Sequence, residues 1–387
     1  MEEKIIQVLT SESTQLLKEM IAIPSPSFNE DEVCSHISKW LTSKGIEHER
    51  VGNNIIAEHV SDPSYPTLML CAHIDTVSPC EGYSFDPYKP ENSPEGVIQG
   101  LGSNDDGASV VSMIAGYRYW HDRGDTQDNS GKDCHVADAP RNDVSVNVNL
   151  TLVLTCEEER SGKDGMTGLW GKRLNRIDYA IIGEPTEMKA ATSERGLLVI
   201  DATAHGVSGH AARNEGKNAL YIALEDIERL RRHEFTKISP KMGKVNLNVT
   251  QISAGSAHNV IPDRCDFVID IRPTEQYSNE EILQELQAIC ESELKPRNLA
   301  NRSSATHEGS PLQKTAERMG IETFSSATTS DWMRITCDAI KMGPGDSNRS
   351  HRKDEYVTVE EISEGIEKYI QFIISFSNAD APRNDVM

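Results

Sequence analysis

The chain has 387 residues and a formal net charge of −22. That length holds two domains with separate cores, and the charge excludes nucleic acid and anionic membrane surfaces as partners, because both are polyanions that repel it. No apolar run approaches the ~20 residues of a membrane span. The eight cysteines, none in a C-x-x-C pair and with no secretory leader in MEEKIIQVLTSES, read as reduced thiols of a cytoplasmic protein.

In chain order, the apolar run TLMLCA predicts a strand that ends at His73, with Asp75 just beyond it. GLGSNDDG follows as a glycine-rich loop carrying Asp105 and Asp106. A predicted helix leads into a polar stretch, residues 121–147, which reads as an exposed insertion. The continuous run LTLVLTC then predicts a buried strand with Glu157, Glu158 and Glu159 at its carboxyl end, and YAIIG does the same for Glu184. The late segment RSHRKDE adds His351.

A lone His-x-Asp is more often a satisfied polar pair than a site, and an acidic run is more often a solvated face. Here three strand ends each deliver metal-type ligands, and the carboxyl edge of an α/β sheet is where ligands bind. Imidazole and carboxylate are ligands that zinc accepts, and two metals about 3.5–4 Å apart are bridged by one carboxylate and one water. With Asp105 as the bridge, His73 and Glu184 hold one ion and Glu159 and His351 the other. Glu158 is then left unligated, as the general base for a water whose pKa the metals lower. Asp106, next to it in the same loop, is an alternative bridge.

From residue 193 to 296 the pattern changes. LLVIDATAHG, a helix from Lys217 to Arg232, KVNLNVTQISAG, CDFVIDIRP and the amphipathic NEEILQELQAICESEL predict a small α+β sandwich of ferredoxin-like type. The expected organisation is therefore a first domain over 1–192 and 297–376, interrupted by a second over 193–296. The octapeptide ADAPRNDV occurs at Ala137–Val144 and again at Ala379–Val386. Neither copy has enough apolar surface to order itself, so a disordered tail is expected over 377–387.

The order HxD, GxGxxD, a glutamate pair after a strand, GEPT, and a late His followed by DE resembles the co-catalytic zinc M20 peptidases, the family of acetylornithine deacetylase and succinyl-diaminopimelate desuccinylase. The resemblance runs from about Leu17 to Ser375. It implies an α/β catalytic domain with a mixed, mainly parallel sheet flanked by helices, and an inserted ferredoxin-like lid that dimerises. It implies two zinc ions, with cobalt as a substitute, on His73, Asp105, Glu159, Glu184 and His351, and Glu158 as base. Asp75 would fix the ring of His73. Where the family writes Asp-Glu-Glu this chain has Glu157-Glu158-Glu159; a slip by one would make Glu157 the base, and alignment on Thr155 disfavours it.

His210 matches the lid histidine that reaches the partner subunit's site and steadies the oxyanion; the plainer reading is a turn-capping His. Asn259 and Arg272 match positions that grip a substrate carboxylate, a task suited to the planar guanidinium fork, and a strand-end salt bridge is the plainer reading of Arg272. Gly343-Pro344-Gly345 before His351, and TTSDW upstream, resemble the acetylornithine deacetylase branch. The implied reaction is removal of an N-acyl group from a small acylated amino acid in arginine biosynthesis, by a cytoplasmic homodimer.

Overall fold

The computed structural model describes residues 2–124, 146–213 and 215–378. The apolar runs read from the sequence become the centre of one sheet, in the order Glu49–Val51, Asn54–His59, Asn149–Thr155, Thr67–His73, Tyr179–Ile182, Asp338–Lys341 and Ala190–Glu194. Thr67–His73 pairs parallel with both Asn149–Thr155 and Tyr179–Ile182, and Asp338–Lys341 is parallel to Tyr179–Ile182. Antiparallel pairs flank this parallel core.

Central parallel strands are apolar throughout because both of their faces are covered. Leu68, Leu70, Leu150, Leu152 and Leu154 pack with residues of three helices, Glu2–Ile21, Gly107–Gly124 and Val359–Ser377. The intervening Met69, Cys71 and Val153 enter a second cluster with Met166, Leu169, Trp332 and Ile335. Val359–Ser377 starts with a capping box, Thr358 accepting the Glu361 N–H and Glu361 accepting the Thr358 N–H. The parallel strands all end at one edge, and the ligand-type residues follow directly.

Two compact units emerge, one of Met1–Thr192, Thr306–Phe324 and Ser330–Met387, the other of Ser193–Ala305 and Ser325–Thr329. The second unit is a β-α-β-β-α-β arrangement: strands Leu198–His205, Asn246–Ala254, Arg264–Arg272 and Glu293–Pro296, with helices Ala219–Arg232 and Asn279–Ile289. Its antiparallel sheet runs Asn246–Ala254, Arg264–Arg272, Leu198–His205, Glu293–Pro296. Leu198, Ile200, Ala202 and Ala204 are buried against Ile222, Ala223, Ile282 and Leu286, and the alternate residues of that strand are more exposed.

Three boundaries differ from the sequence reading. The inserted unit extends to Ala305 rather than 296, because Arg297 N–H donates to Val199 O, Leu197 N–H to Asn301 O, and Asn279 Nδ2 to the Leu299 and Asn301 carbonyls. Its first helix begins at Ala219 rather than Lys217, since Asn218 caps it by accepting the Leu220 N–H. The helix from Gly107 continues to Gly124, three residues past the expected start of the insertion at 121. Of the two ADAPRNDV copies and the 377–387 tail, only Ser377 and Asn378 lie among the described residues, and Ser377 ends the last helix.

Candidate metal centre

His73 closes its strand and is buried. Its Nδ1 donates to the Asp75 backbone carbonyl at 2.9 Å, leaving Nε2 to face Asp105 Oδ1 at 3.2 Å. The other Asp105 oxygen, Oδ2, lies 3.6 Å from His351 Nε2, and His351 Nε2 is also 2.9 Å from Glu159 Oε1 and from Oε2. One carboxylate thus addresses two imidazoles through different oxygens, which is the disposition a bridge needs. Asp106 does not share it, since its Oδ2 accepts the His73 backbone N–H.

The donor atoms of His73, Asp105 and Glu159 lie within 4.8 Å of one another, as do those of His73, Glu158 and Glu184. His73 belongs to both groups. The structure therefore brings together all five residues read as ligands and the residue read as base, from three strand ends and two loops.

Two carboxylates hold the turn that carries Glu158 and Glu159. Glu157 adopts φ 60°, a left-handed conformation that costs a non-glycine residue about 1–3 kcal/mol. The buried Glu30 Oε1 accepts its N–H at 3.2 Å. Asp75 then accepts the next two, Glu158 N–H at 3.0 Å and Glu159 N–H at 3.2 Å, and takes the Ser27 hydroxyl at 2.7 Å. Gly162 is required behind this turn, because a Cβ there would lie 2.0 Å from Glu157 Oε2. Asp75 was expected to fix the His73 ring. It does so mainly through its carbonyl, and its carboxylate, 3.5 Å from His73 Nδ1, chiefly anchors the base-bearing turn.

Electrostatics reflect this crowding of negative charge. Burial raises the Glu158 carboxyl well above its ordinary range; His73 pulls it back, and Glu184, Asp331 and Glu159 push it further up. Burial likewise raises Glu184, opposed by Lys341 and reinforced by Asp105 and Asp106. For His73 burial disfavours the charged form, but Asp105 and Asp75 hold its pKa well above the usual value. The hydrogen bond to Glu159 lifts His351 to about 9. Four carboxylates facing two imidazoles carry more negative charge than the histidines neutralise, and a pair of divalent cations matches both that excess and the mixed nitrogen and oxygen donors.

Three acids at this edge carried no role in the sequence reading. Glu30 sits in PSFNEDE, where nothing sets it apart from its acidic neighbours. Asp331, in TTSDW, is buried, accepts the Thr155 hydroxyl at 2.7 Å, and is raised by burial to about 6. Glu355, the glutamate of the late DE, accepts the Asn104 N–H at 2.9 Å and the Asp105 N–H at 3.0 Å. The family-like motifs touched Asp331 and Glu355; only the fold gives them partners.

The remaining predicted residues lie in the inserted unit. His210 is exposed, in the short strand Gly209–His210 paired with Val260–Ile261, and its Nδ1 accepts the Ala212 N–H. Asn259 is next to it, its carbonyl accepting the Ala211 N–H. Arg272 ends its strand with its fork on Asp270, Nε to Oδ1 at 2.9 Å and Nη2 to Oδ2 at 3.2 Å, the strand-end salt bridge of the plainer reading.

Comparison with known proteins agrees with this architecture. The M20_dimer family model, a peptidase dimerisation domain, matches residues 192–298. Succinyl-diaminopimelate desuccinylase of Xanthomonas campestris pv. campestris is 26% identical over 383 residues, covering 92% of this chain and 96% of that protein. Acetylornithine deacetylase of Myxococcus xanthus is 28% identical over 233 residues, covering 55% of this chain and 61% of that one. Among solved structures, the YXEP protein of Bacillus subtilis, described as a dinuclear metal-binding peptidase from the M20 family, superposes with a TM-score of 0.70 at 15% identity, covering 96% of this chain and 98% of that one.

Proposed function

From a chain that belongs to the M20 peptidase family, and is thereby a hydrolase of amide bonds, we propose a two-zinc deacylase of N-acyl amino acids, with N-acetylornithine as the leading substrate. The observation that carries the reading is Asp105, with one oxygen on His73 and the other toward His351. His73, Glu184 and Asp105 would hold one ion, and Asp105, Glu159 and His351 the other. When bound, the two ions supply Lewis acidity to the scissile carbonyl and a lowered pKa to the attacking water.

The chain's own groups do the rest. The His73 Nδ1–H donates to the Asp75 carbonyl, which fixes the ring with Nε2 free as a ligand. Glu158 takes the proton of the attacking water and passes it to the leaving nitrogen. We assign His210 to the developing oxyanion and Asn259 with Arg272 to the substrate carboxylate; Arg272 would exchange Asp270 for it. Dimerisation would use the inserted unit, where Tyr221, Leu224 and Ile252 are exposed and Asn246–Ala254 is an edge strand. Cytoplasmic placement and a role in arginine biosynthesis belong to the same proposal. Among the described residues no helix is long and apolar enough to cross a membrane.

A second reading, desuccinylation of succinyl-diaminopimelate, is favoured by the relative of that name matching over 92% of this chain. Incubating zinc-loaded protein with N-acetylornithine, N-acetylcitrulline, N-succinylornithine, succinyl-diaminopimelate and dipeptides, and following free amines by mass spectrometry, separates these. Release from acetylornithine is expected. Turnover of succinyl-diaminopimelate alone selects the second reading, turnover of dipeptides alone moves the chain to the peptidases, and no turnover with metal bound removes the enzymatic proposal.

A further inference from the structure

Two loops that are far apart in sequence supply Asp105 and His351, and they are tied together at more than one point. Glu355 grips the Asp105 loop at two places: its backbone carbonyl accepts the Gly100 N–H at 3.0 Å, and its Oε1 accepts the N–H groups of Asn104 and Asp105. From Tyr356 to Thr358 the chain then pairs antiparallel with Val97–Gln99. In the other direction Asn104 grips the His351 loop. Its Oδ1 accepts the Asp346 N–H at 3.0 Å, and its Nδ2 donates to the Asp346 carbonyl at 3.1 Å and to Ser350 Oγ at 3.4 Å. Gly345 makes room for this contact, since a Cβ there would lie 2.3 Å from Asn104 Oδ1. Asn104 and Glu355 are both buried, whereas the His351 side chain is about half exposed.

Among the described residues, the His351 side chain is paired with Glu159 and Asp105, carboxylates that are themselves candidate ligands. The flanks of its loop, Asp346 and Ser350 on one side and Glu355 on the other, are what fix its position. We infer that Glu355 and Asn104 form a clasp that sets the separation of Asp105 from His351, and so governs the affinity of the ion held by His351 and Glu159 rather than that of the ion held by His73 and Glu184. This rests on the two-ion reading above. Both are positioning residues: neither is assigned to touch an ion or the substrate, and each acts through the backbone that presents a ligand. Partners of this kind typically change metal affinity about 10–100-fold when removed.

The test is a zinc and cobalt titration of wild type, Glu355→Gln, Glu355→Ala and Asn104→Ala, with bound ions counted by equilibrium dialysis and cobalt coordination followed by visible absorption. Circular dichroism checks that each variant is folded. Wild type is expected to bind two ions. Glu355→Ala keeps the first at wild-type affinity and binds the second about 10–100-fold more weakly, while Glu355→Gln, which retains an acceptor oxygen for the two N–H groups, recovers most of that loss. Asn104→Ala gives the same selective loss and serves as the test if Glu355→Ala does not fold. Equal affinity for both ions in wild type and the alanine variants, or equal weakening of both sites, overturns the clasp and leaves the two-ion reading standing. A wild-type protein that binds one ion or none overturns the two-ion reading and the clasp with it.

Discussion

Replacing Asp75 by asparagine tests how the base is held. The Asp75 carboxylate accepts three hydrogen bonds, from the Ser27 hydroxyl and from the N–H groups of Glu158 and Glu159, at 2.7, 3.0 and 3.2 Å. An asparagine that keeps its oxygen toward Ser27 and Glu159 turns its NH2 group toward the Glu158 N–H, so donor meets donor at a buried site. An unsatisfied buried donor costs about 1–3 kcal/mol, and the lost charge weakens the two bonds that remain. Because the affected N–H belongs to the residue assigned as base, part of that cost appears as misplacement of Glu158. We expect kcat to fall about 10–100-fold, or about 1.4–2.7 kcal/mol of activation free energy, with the metal-free protein melting several degrees lower. The His73 ring is held by the Asp75 backbone carbonyl, which the substitution keeps, so ion stoichiometry should hold. Steady-state kinetics on the deacylase substrate, together with thermal melts of metal-free protein, give the answer. Wild-type kcat in Asp75→Asn, or a rate loss fully explained by loss of bound metal, refutes the reasoning.

Metal-free protein should respond to pH through His351. Its folded pKa is raised to about 9 by the bond to Glu159, so its contribution to stability is full below about pH 6.5 and is lost as pH rises through about 9. The raised carboxyls of Glu158 and Glu184 act in the same direction, favouring the folded state while protonated and losing that effect as pH rises. Differential scanning calorimetry should show metal-free protein melting lower at pH 9 than at pH 6.5, with added zinc restoring more at the higher pH because ligation requires a neutral imidazole; an opposite trend contradicts these assignments. Asp105→Asn should weaken both ions at least tenfold, about 1.4 kcal/mol each. Asp106→Asn should bind close to wild type, since burial already raises that carboxyl to about 8 and keeps it protonated near neutral pH. Titration calorimetry giving the reverse order would move the bridge to Asp106.

What the sequence made legible follows from which signals are local. TLMLCA, LTLVLTC and YAII are buried on both faces and so carry unbroken apolar runs, which placed His73, the Glu157–Glu159 run and Glu184 at one sheet edge. The alternation in LLVIDATAH likewise announced a strand with one face more exposed. The supporting acids left no such trace. Glu30 meets Glu157 across 127 residues, Asp331 meets Thr155 across 176, and Glu355 meets Asn104 across 251. A single buried carboxylate has no periodicity, and only tertiary packing decides whether it faces solvent or a backbone N–H. The reach of the compact unit to Ala305, beyond the 296 read from the sequence, has a related cause, because residues 297–301 are held by contacts to their backbone that leave no hydropathy pattern.

The central claim is that Glu158 is the base beside two ions held by His73, Asp105, Glu159, Glu184 and His351, and one paired measurement on Glu158→Gln addresses it. Bound zinc is counted by atomic absorption, and hydrolysis is followed under the same conditions. The account predicts two ions per chain, as in wild type, with kcat reduced at least 100-fold, within the range typical of losing a general base. Wild-type turnover in this variant would contradict the assignment of the base, and loss of an ion would place Glu158 among the ligands.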